Sequence, residues 1–285
     1  MRLLSWNIQW GCGCDGRVSF PRIVDVIRRM GDFDVVCLQE VAVNHPGLAG
    51  SAGEDQVAIL AAAFPGYSAH YAIASDLAGE RAARRCFGNL LLSRLPVQQV
   101  FRHSLPQQAE RGRPSMPRVA LEAVVATDGG AMRVTTTHLE YYSRAQREAQ
   151  IGQLRTLHEE AFSQAANLVT GYDLDPPFHG PQRPVSSVYC GDFNCESSAE
   201  ELRRLVQPFL SGAPSLVDAW SVAHPGVANE FKVWLNGCTW PDRAYCCDYF
   251  FVSEDLRDRA RSVAVDQETA ASDHQPIALE LALEG

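Results

Sequence analysis

The chain has 285 residues, 46% of them apolar, and a formal net charge of −9. That length and apolar share suffice for a sizeable core. The acidity argues against avid, sequence-independent binding to nucleic acid, which rests on many cation–phosphate contacts. No run of about 18 apolar residues predicts a membrane span. Leu3-Leu4-Ser5-Trp6 follows Arg2 directly, without the apolar stretch and cleavage site of a signal peptide, so a cytoplasmic location is expected.

In chain order, the first apolar run predicts a strand over 3–8. Ser19 can cap a helix with Pro21 in its first turn, Ile23, Ile27 and Met30 on one face, and Gly31 at its end. Strands are predicted over 34–38, 67–73, 87–92, 97–101, 119–125 and 132–138, with a helix over 54–64. The longest helix is predicted over 143–169, where Leu154, Leu157, Ala161, Ala165 and Leu168 recur at helical spacing. The proline-rich stretch 171–187 reads as a long surface loop. A strand over 187–190 follows, then a helix opened by Ser197 or Ser198 toward Val206. The last strands are predicted over 248–252, 262–265 and 276–283. Helices between strands, with hairpin-like pairs elsewhere, imply a mixed α/β sandwich. One domain over 1–285 is expected, because the residues that carry chemistry run from position 7 to position 274.

The nine cysteines show no C-x-x-C spacing. Cys37, Cys190 and Cys247 lie in apolar strands as small hydrophobes. Reduced thiols are the expectation. Positive charge is concentrated instead of spread. Residues 81–118 hold eight arginines and one acid, Glu110, a local +7 in a chain at −9. Arginine suits bidentate phosphate contacts, and a solvated surface gives the same pattern. The functional expectation is that this segment borders the site and that Arg84, Arg113 and Arg118 hold an anionic part of the substrate.

Six short motifs place hard oxygen ligands or proton-transfer groups where a strand meets a loop. Glu40 ends an apolar strand, where a charge is costly unless it is paired or metal-bound. Asn7 has a similar context. Asp192 and Asn194, two apart, can hold one water or one phosphate oxygen, and an Asx turn into the next helix is compatible with that. His138 stands at the C-terminal end of its strand. Asp248 opens a strand, and His274 follows Asp273. A carboxylate-oriented imidazole sets the tautomer and raises basicity. Magnesium takes such oxygen ligands and keeps several waters.

Together Ser5-Trp6-Asn7, Leu38-Gln39-Glu40, Gly88-Asn89, Thr137-His138-Leu139, Gly191-Asp192-Phe193-Asn194, Asp248-Tyr249 and Ser272-Asp273-His274 resemble the endonuclease/exonuclease/phosphatase superfamily. That superfamily includes DNase I-like nucleases, inositol polyphosphate phosphatases and bacterial sphingomyelinases. The resemblance covers nearly the whole chain. It implies a DNase I-like four-layer sandwich, two mixed β-sheets face to face with helices outside. It implies metal ligation at Glu40, with Asn7 and Asp273 beside it, by Mg²⁺ or Mn²⁺. It implies catalytic roles for His138, Asp192, Asn194, Asp248 and His274, and a substrate contact at Asn89. The activity implied is metal-dependent phosphoester hydrolysis, as a phosphodiesterase or phosphatase. The alternatives are a nuclease acting on DNA or RNA and, more remotely, an inactive binding module. The expected partner is a phosphorylated small molecule, a lipid head group or a short nucleic acid. The chain departs from the abasic-site endonucleases at Gln9, where they carry an aspartate, and at His138, where they carry a tyrosine. Cys246-Cys247 also stands before Asp248, where arginine and an aliphatic residue are common.

Overall fold

Alternation along each strand decides the layering. In β1 (Arg2–Asn7), Leu3 faces one way and Leu4 and Trp6 the other. Leu3 joins Val35, Cys37 and Leu91 against Leu121, Val134, Val188 and Phe250 in a core between two sheets. Leu4 and Trp6 instead join Ile23 and Ile27 of α1 (Phe20–Met30) and Leu60 of α2 (Gln56–Ala63). A third cluster packs Tyr189 and Phe251 on Ile151 and Leu154 of α3 (Arg144–Ala166) and Leu202 and Leu205 of α4 (Glu200–Leu205). The order of layers is helix, sheet, sheet, helix. This computed structural model describes residues 1–80, 83–167, 182–233, 235–238 and 243–283. Arg81, the expected helix end at 168–169 and most of the proline-rich stretch lie outside those residues.

The other strands are β2 (Val35–Val43), β3 (Ser68–Ala78), β4 (Arg84–Ser93), β5 (Val97–Ser104), β6 (Val119–Thr127), β7 (Gly130–His138), β8 (Ser187–Asp192), β9 (Leu216–Asp218), β10 (Asp248–Ser253), β11 (Ala260–Val265) and β12 (Ile277–Leu281). One six-stranded sheet has the order β11-β12-β1-β2-β4-β3, the other β5-β6-β7-β8-β10-β9. Each contains one parallel pair, β1 with β2 and β7 with β8. α1 and α3 make those two crossovers, as parallel neighbours require.

The cap of α1 is as the sequence predicts, and α3 has a serine cap at its expected start. The Ser19 hydroxyl accepts from the Arg22 N–H at 3.4 Å, and Ser143 caps α3 through the Gln146 N–H at 3.2 Å. α4 begins later than expected, at Glu200, with no side-chain cap. β9 and the five-residue α5 (Ala219–Ala223) are too short to leave a periodic signal. The expectation of reduced thiols throughout is corrected by a disulfide between Cys14 and Cys238, 224 residues apart with Cα atoms 4.7 Å apart. The two loops carrying these residues meet only after the sheets stack. Among the described residues no helix is long and apolar enough to cross a membrane.

Candidate functional site

Strand direction gathers the motifs on one edge. β1 and β2 run parallel, so Asn7 and Gln39 finish side by side. β7 and β8 also run parallel, and His138 pairs with Asp192 in register. β10 runs the other way, so its first residue, Asp248, lies opposite Asp192. β12 is antiparallel to β1, which brings the preceding Asp273 and His274 to the same edge. The close approach of β7 and β8 needs Gly191. Its φ is +130°, and a Cβ there would lie 1.9 Å from the Thr137 carbonyl oxygen.

Glu40 does not end its strand, as the sequence suggests. β2 continues to Val43, and its register with β4 shifts between Leu38 and Val41. Glu40 sits in that bulge at φ 58°. Bulges commonly re-aim a side chain beside a functional site. The Asn7 side-chain amide then bridges two carboxylates, donating to Glu40 Oε1 at 3.0 Å and to Asp192 Oδ2 at 3.1 Å. Asp192 Oδ1 accepts the Asn194 N–H at 2.8 Å, an Asx turn, while the Asn194 amide donates to the Leu139 carbonyl at 2.8 Å. Asp273 accepts from the Gln9 amide at 2.9 Å and from Ser272. The Ser272 hydroxyl also donates to the Asn7 carbonyl at 2.7 Å.

His274 Nδ1 lies 2.9 Å from Asp248 Oδ2, and its Nε2 lies 3.6 Å from Asp192 Oδ2. Burial opposes a charge on this imidazole, but Asp248, Asp192 and Asp273 outweigh it and hold its pKa well above the ordinary histidine range. His138 is the opposite case. Burial, helped by the charges of Arg118 and His274, holds it far below that range and so neutral. Its Nε2 is 3.5 Å from Asp192 and its Nδ1 3.9 Å from Glu40. Burial also pushes the carboxyls of Asp192 and Asp273 up to about 6 and raises Glu40. Three carboxylates thus crowd one place with too little positive charge beside them.

A cavity of about 350 Å³ opens over this edge, with Glu40, Arg118, His138, Asp192, Asn194 and His274 among its lining residues. Asn7 and Asp248 are buried and reach it through the bonds above, and the buried Asp273 lies behind it, next in sequence to His274. Three residues expected to bind substrate are not among those lining it. The buried Asn89 amide donates to the Val119 carbonyl at 3.0 Å and so ties β4 to β6. Arg84 pairs with Asp76 at 2.7 Å, and Arg113 with Glu110 at 2.7 Å. Arg94, with Asp32 and Asp34, and Arg102, on the Tyr71 carbonyl, are likewise engaged. Arg118 is the one arginine of the basic segment that lines the cavity, among the described residues. The expectation that the whole segment borders the site is corrected accordingly, because Arg84, Arg94 and Arg113 are paired with acids and Arg102 with a backbone carbonyl.

Some site residues escaped the sequence reading. Glu140, fully buried, faces Arg118 at 3.6 Å. Its signal was an acid two residues past His138 in an apolar setting. Trp10 and Phe87 line the cavity, and nothing local distinguished them from core aromatics. Asp192, Cys247 and His274 are three described residues whose ligand atoms all lie within 4.8 Å of one another. Cys247 does not line the cavity. Burial, then Asp248 and Asp192, drives its thiol pKa far up, and His274 Nδ1 is committed to Asp248. The oxygen-rich set of Glu40, Asn7 and Asp273 is the better match to a hard divalent cation.

The model of the Endonuclease/Exonuclease/phosphatase family matches residues 4–274. No curated protein matches the chain. Among solved structures, the endonuclease/exonuclease/phosphatase from Beutenbergia cavernae DSM 12333 is similar at a TM-score of 0.68 and 26% identity, over 100% of this chain and 72% of that one. The endonuclease/exonuclease/phosphatase from Bacteroides vulgatus matches at 0.70 and 16%, over 99% of this chain and 98% of the other. A mannosyl-6-phosphatase from Bacteroides thetaiotaomicron VPI-5482 matches at 0.66 and 16%, over 99% of each. With two mixed six-stranded sheets between helices and a family match across nearly its whole length, the chain belongs to the endonuclease/exonuclease/phosphatase family, a family of phosphoester hydrolases.

Proposed function

We propose that this protein is a Mg²⁺-dependent phosphoester hydrolase acting on small phosphorylated molecules, lipid head groups or short nucleic-acid ends. The observation that carries the reading is the Asn7 amide shared by Glu40 and Asp192, beside the Asp248–His274 pair, at the floor of one cavity. Three carboxylates whose pKa values burial raises need a cation to stay ionised together. Glu40, Asn7 and Asp273 would hold that cation. Bound there, Mg²⁺ supplies Lewis-acid polarisation of a phosphoryl oxygen.

The chain's own groups do the rest. Asp192, pushed up to about 6, is suited to accept a proton from water near neutral pH. Asn194 fixes its orientation through the backbone bond to Oδ1. His274, kept protonated against Asp248, places positive charge where the phosphate gains negative charge. Neutral His138 offers a ring N–H to a phosphate oxygen, and Arg118 adds a fixed charge at the cavity wall. Water oxygen bonds to phosphorus as the ester P–O bond breaks, and the alcohol departs with a proton.

The test is the purified protein with Mg²⁺, Mn²⁺ or EDTA against diesters, monoesters, nucleic acids and phospholipids. Metal-dependent turnover, abolished in Glu40→Ala with an unchanged circular dichroism spectrum, is expected. Wild-type turnover undiminished in EDTA overturns the reading.

A further inference from the structure

The polar floor of the cavity gives way to a wall of different character. Trp10, Leu48, Phe87, Met116, Tyr141 and Tyr142 line it. Arg118 is the only arginine or lysine among the described lining residues, and it already faces Glu140 at 3.6 Å. Apart from His274 at the floor, the described lining residues hold no further cation for a second anionic group on the substrate. Glu40 and Asp192 line the same space, so a monoanionic ester is easier to accommodate than a dianionic one.

The aromatic part of the wall is held in place before any ligand arrives. Trp10 adopts φ 45°, a left-handed conformation that is costly for a bulky side chain. Its indole N–H donates to the Ala49 carbonyl at 2.9 Å, and its own carbonyl accepts from the buried Gln56 amide at 3.1 Å. Tyr142 is half exposed and stands edge-on to Tyr141, with ring centroids 4.9 Å apart. Its N–H donates to Glu140 at 2.8 Å and its carbonyl accepts from Arg113 at 2.8 Å. Side chains whose backbone is held in this way bind a planar partner at a reduced ordering cost. The volume of about 350 Å³ lies at the small end for ligand cavities. It has room for a phosphate and one ring.

Resting on the hydrolase reading above, we infer that the cavity selects phosphodiesters in which one ester group is an uncharged, planar aromatic alcohol seated against Trp10 and Tyr142. The alcohol's ring takes the wall while the phosphate takes the floor, so the aromatic face sets which diester is held.

Calorimetric titration in Mg²⁺ tests this without needing turnover. The probes are methyl phenyl phosphate, methyl cyclohexyl phosphate, dimethyl phosphate and the dianion phenyl phosphate. The phenyl diester should bind about 10-fold more tightly than the cyclohexyl diester, the scale of an aromatic–aromatic preference. It should also bind more tightly than dimethyl phosphate and phenyl phosphate. Trp10→Leu and Tyr142→Leu should each bring the phenyl-to-cyclohexyl ratio toward 1. Tyr142 is half exposed, so its replacement leaves the core intact if Trp10→Leu does not fold. Equal affinity for the phenyl and cyclohexyl diesters, tighter binding of phenyl phosphate, or no binding of any probe overturns the inference. A kept phenyl preference with no turnover of any ester sinks the hydrolase reading alone.

Discussion

Glu122→Gln tests the buried charge network that anchors the approach to β8. Glu122 is fully buried on β6. Arg183 grips it bidentately at 2.7 and 2.9 Å, Arg133 reaches it at 3.4 Å, and His103 lies at 3.7 Å. Arg133 also contacts His158 Nδ1 at 3.0 Å and the Val185 carbonyl at 3.2 Å. The network therefore fastens the segment that leads into β8 and its Asp192. Burial works to raise the carboxyl pKa, but the bonds from Arg183 and His103 and the charge of Arg133 push it down to about 2. The fall from the ordinary glutamate value of 4.5 corresponds to roughly 3 kcal/mol of native-state stability. Because the folded pKa lies below the unfolded one, that stabilisation is complete above about pH 4.5 and is lost as pH falls toward 2.

His158 adds an earlier loss from the same cluster. Burial and then Arg133 push its pKa down to about 4, so it folds neutral. The stability tied to that neutrality is complete above its ordinary value of 6.5 and declines as pH falls toward 4. Urea unfolding of wild type and Glu122→Gln at pH 7, 5.5, 4 and 3 separates the two contributions. The variant should be less stable at pH 7 by about 3–5 kcal/mol, the cost of breaking a buried ion pair. The gap should hold at pH 5.5 and narrow below about pH 4.5. A gap that is the same at pH 3 as at pH 7 refutes the electrostatic account.

Three further outcomes follow from the site and its supports. Asp248→Asn removes the carboxylate 2.9 Å from His274, and turnover on the best diester should fall about 100- to 10,000-fold with the circular dichroism spectrum unchanged; activity within 3-fold of wild type contradicts the pairing. Gly191→Ala puts a methyl 1.9 Å from the Thr137 carbonyl oxygen, so β7 and β8 must separate; chemical denaturation should show a loss above about 2 kcal/mol, and wild-type stability contradicts the close approach. Cys14→Ser opens a loop of 224 residues and should lower stability by about 2–5 kcal/mol under oxidising conditions and by nothing in reductant; thiol titration of unfolded wild-type protein that finds all nine cysteines free contradicts the bridge.

The sequence by itself determined the strands other than β9, the main helices and the chain positions of the motifs. Leu3 and Leu4, or Ser19 and Pro21, reveal their structure because alternation and capping depend on neighbours a few residues away. The order of Asn7, Glu40, His138, Asp192, Asp248 and His274 was legible for the same reason, since each stands beside an apolar run. Only the tertiary structure decided how those positions meet. The Asn7 amide reaches carboxylates 33 and 185 residues away, and the bulge that turns Glu40 inward is a mismatch between two strands, not a property of one. The basic segment looked like an anion site because partners outside it leave no local pattern: Asp32 and Asp34 neutralise Arg94 from about 60 residues upstream. Cys14 and Cys238 meet for an equally non-local reason. Charge balance, bulges and disulfides are set by which loops and edges the stacked sheets bring together, and that contact is fixed by packing of the two inner faces, not by local composition.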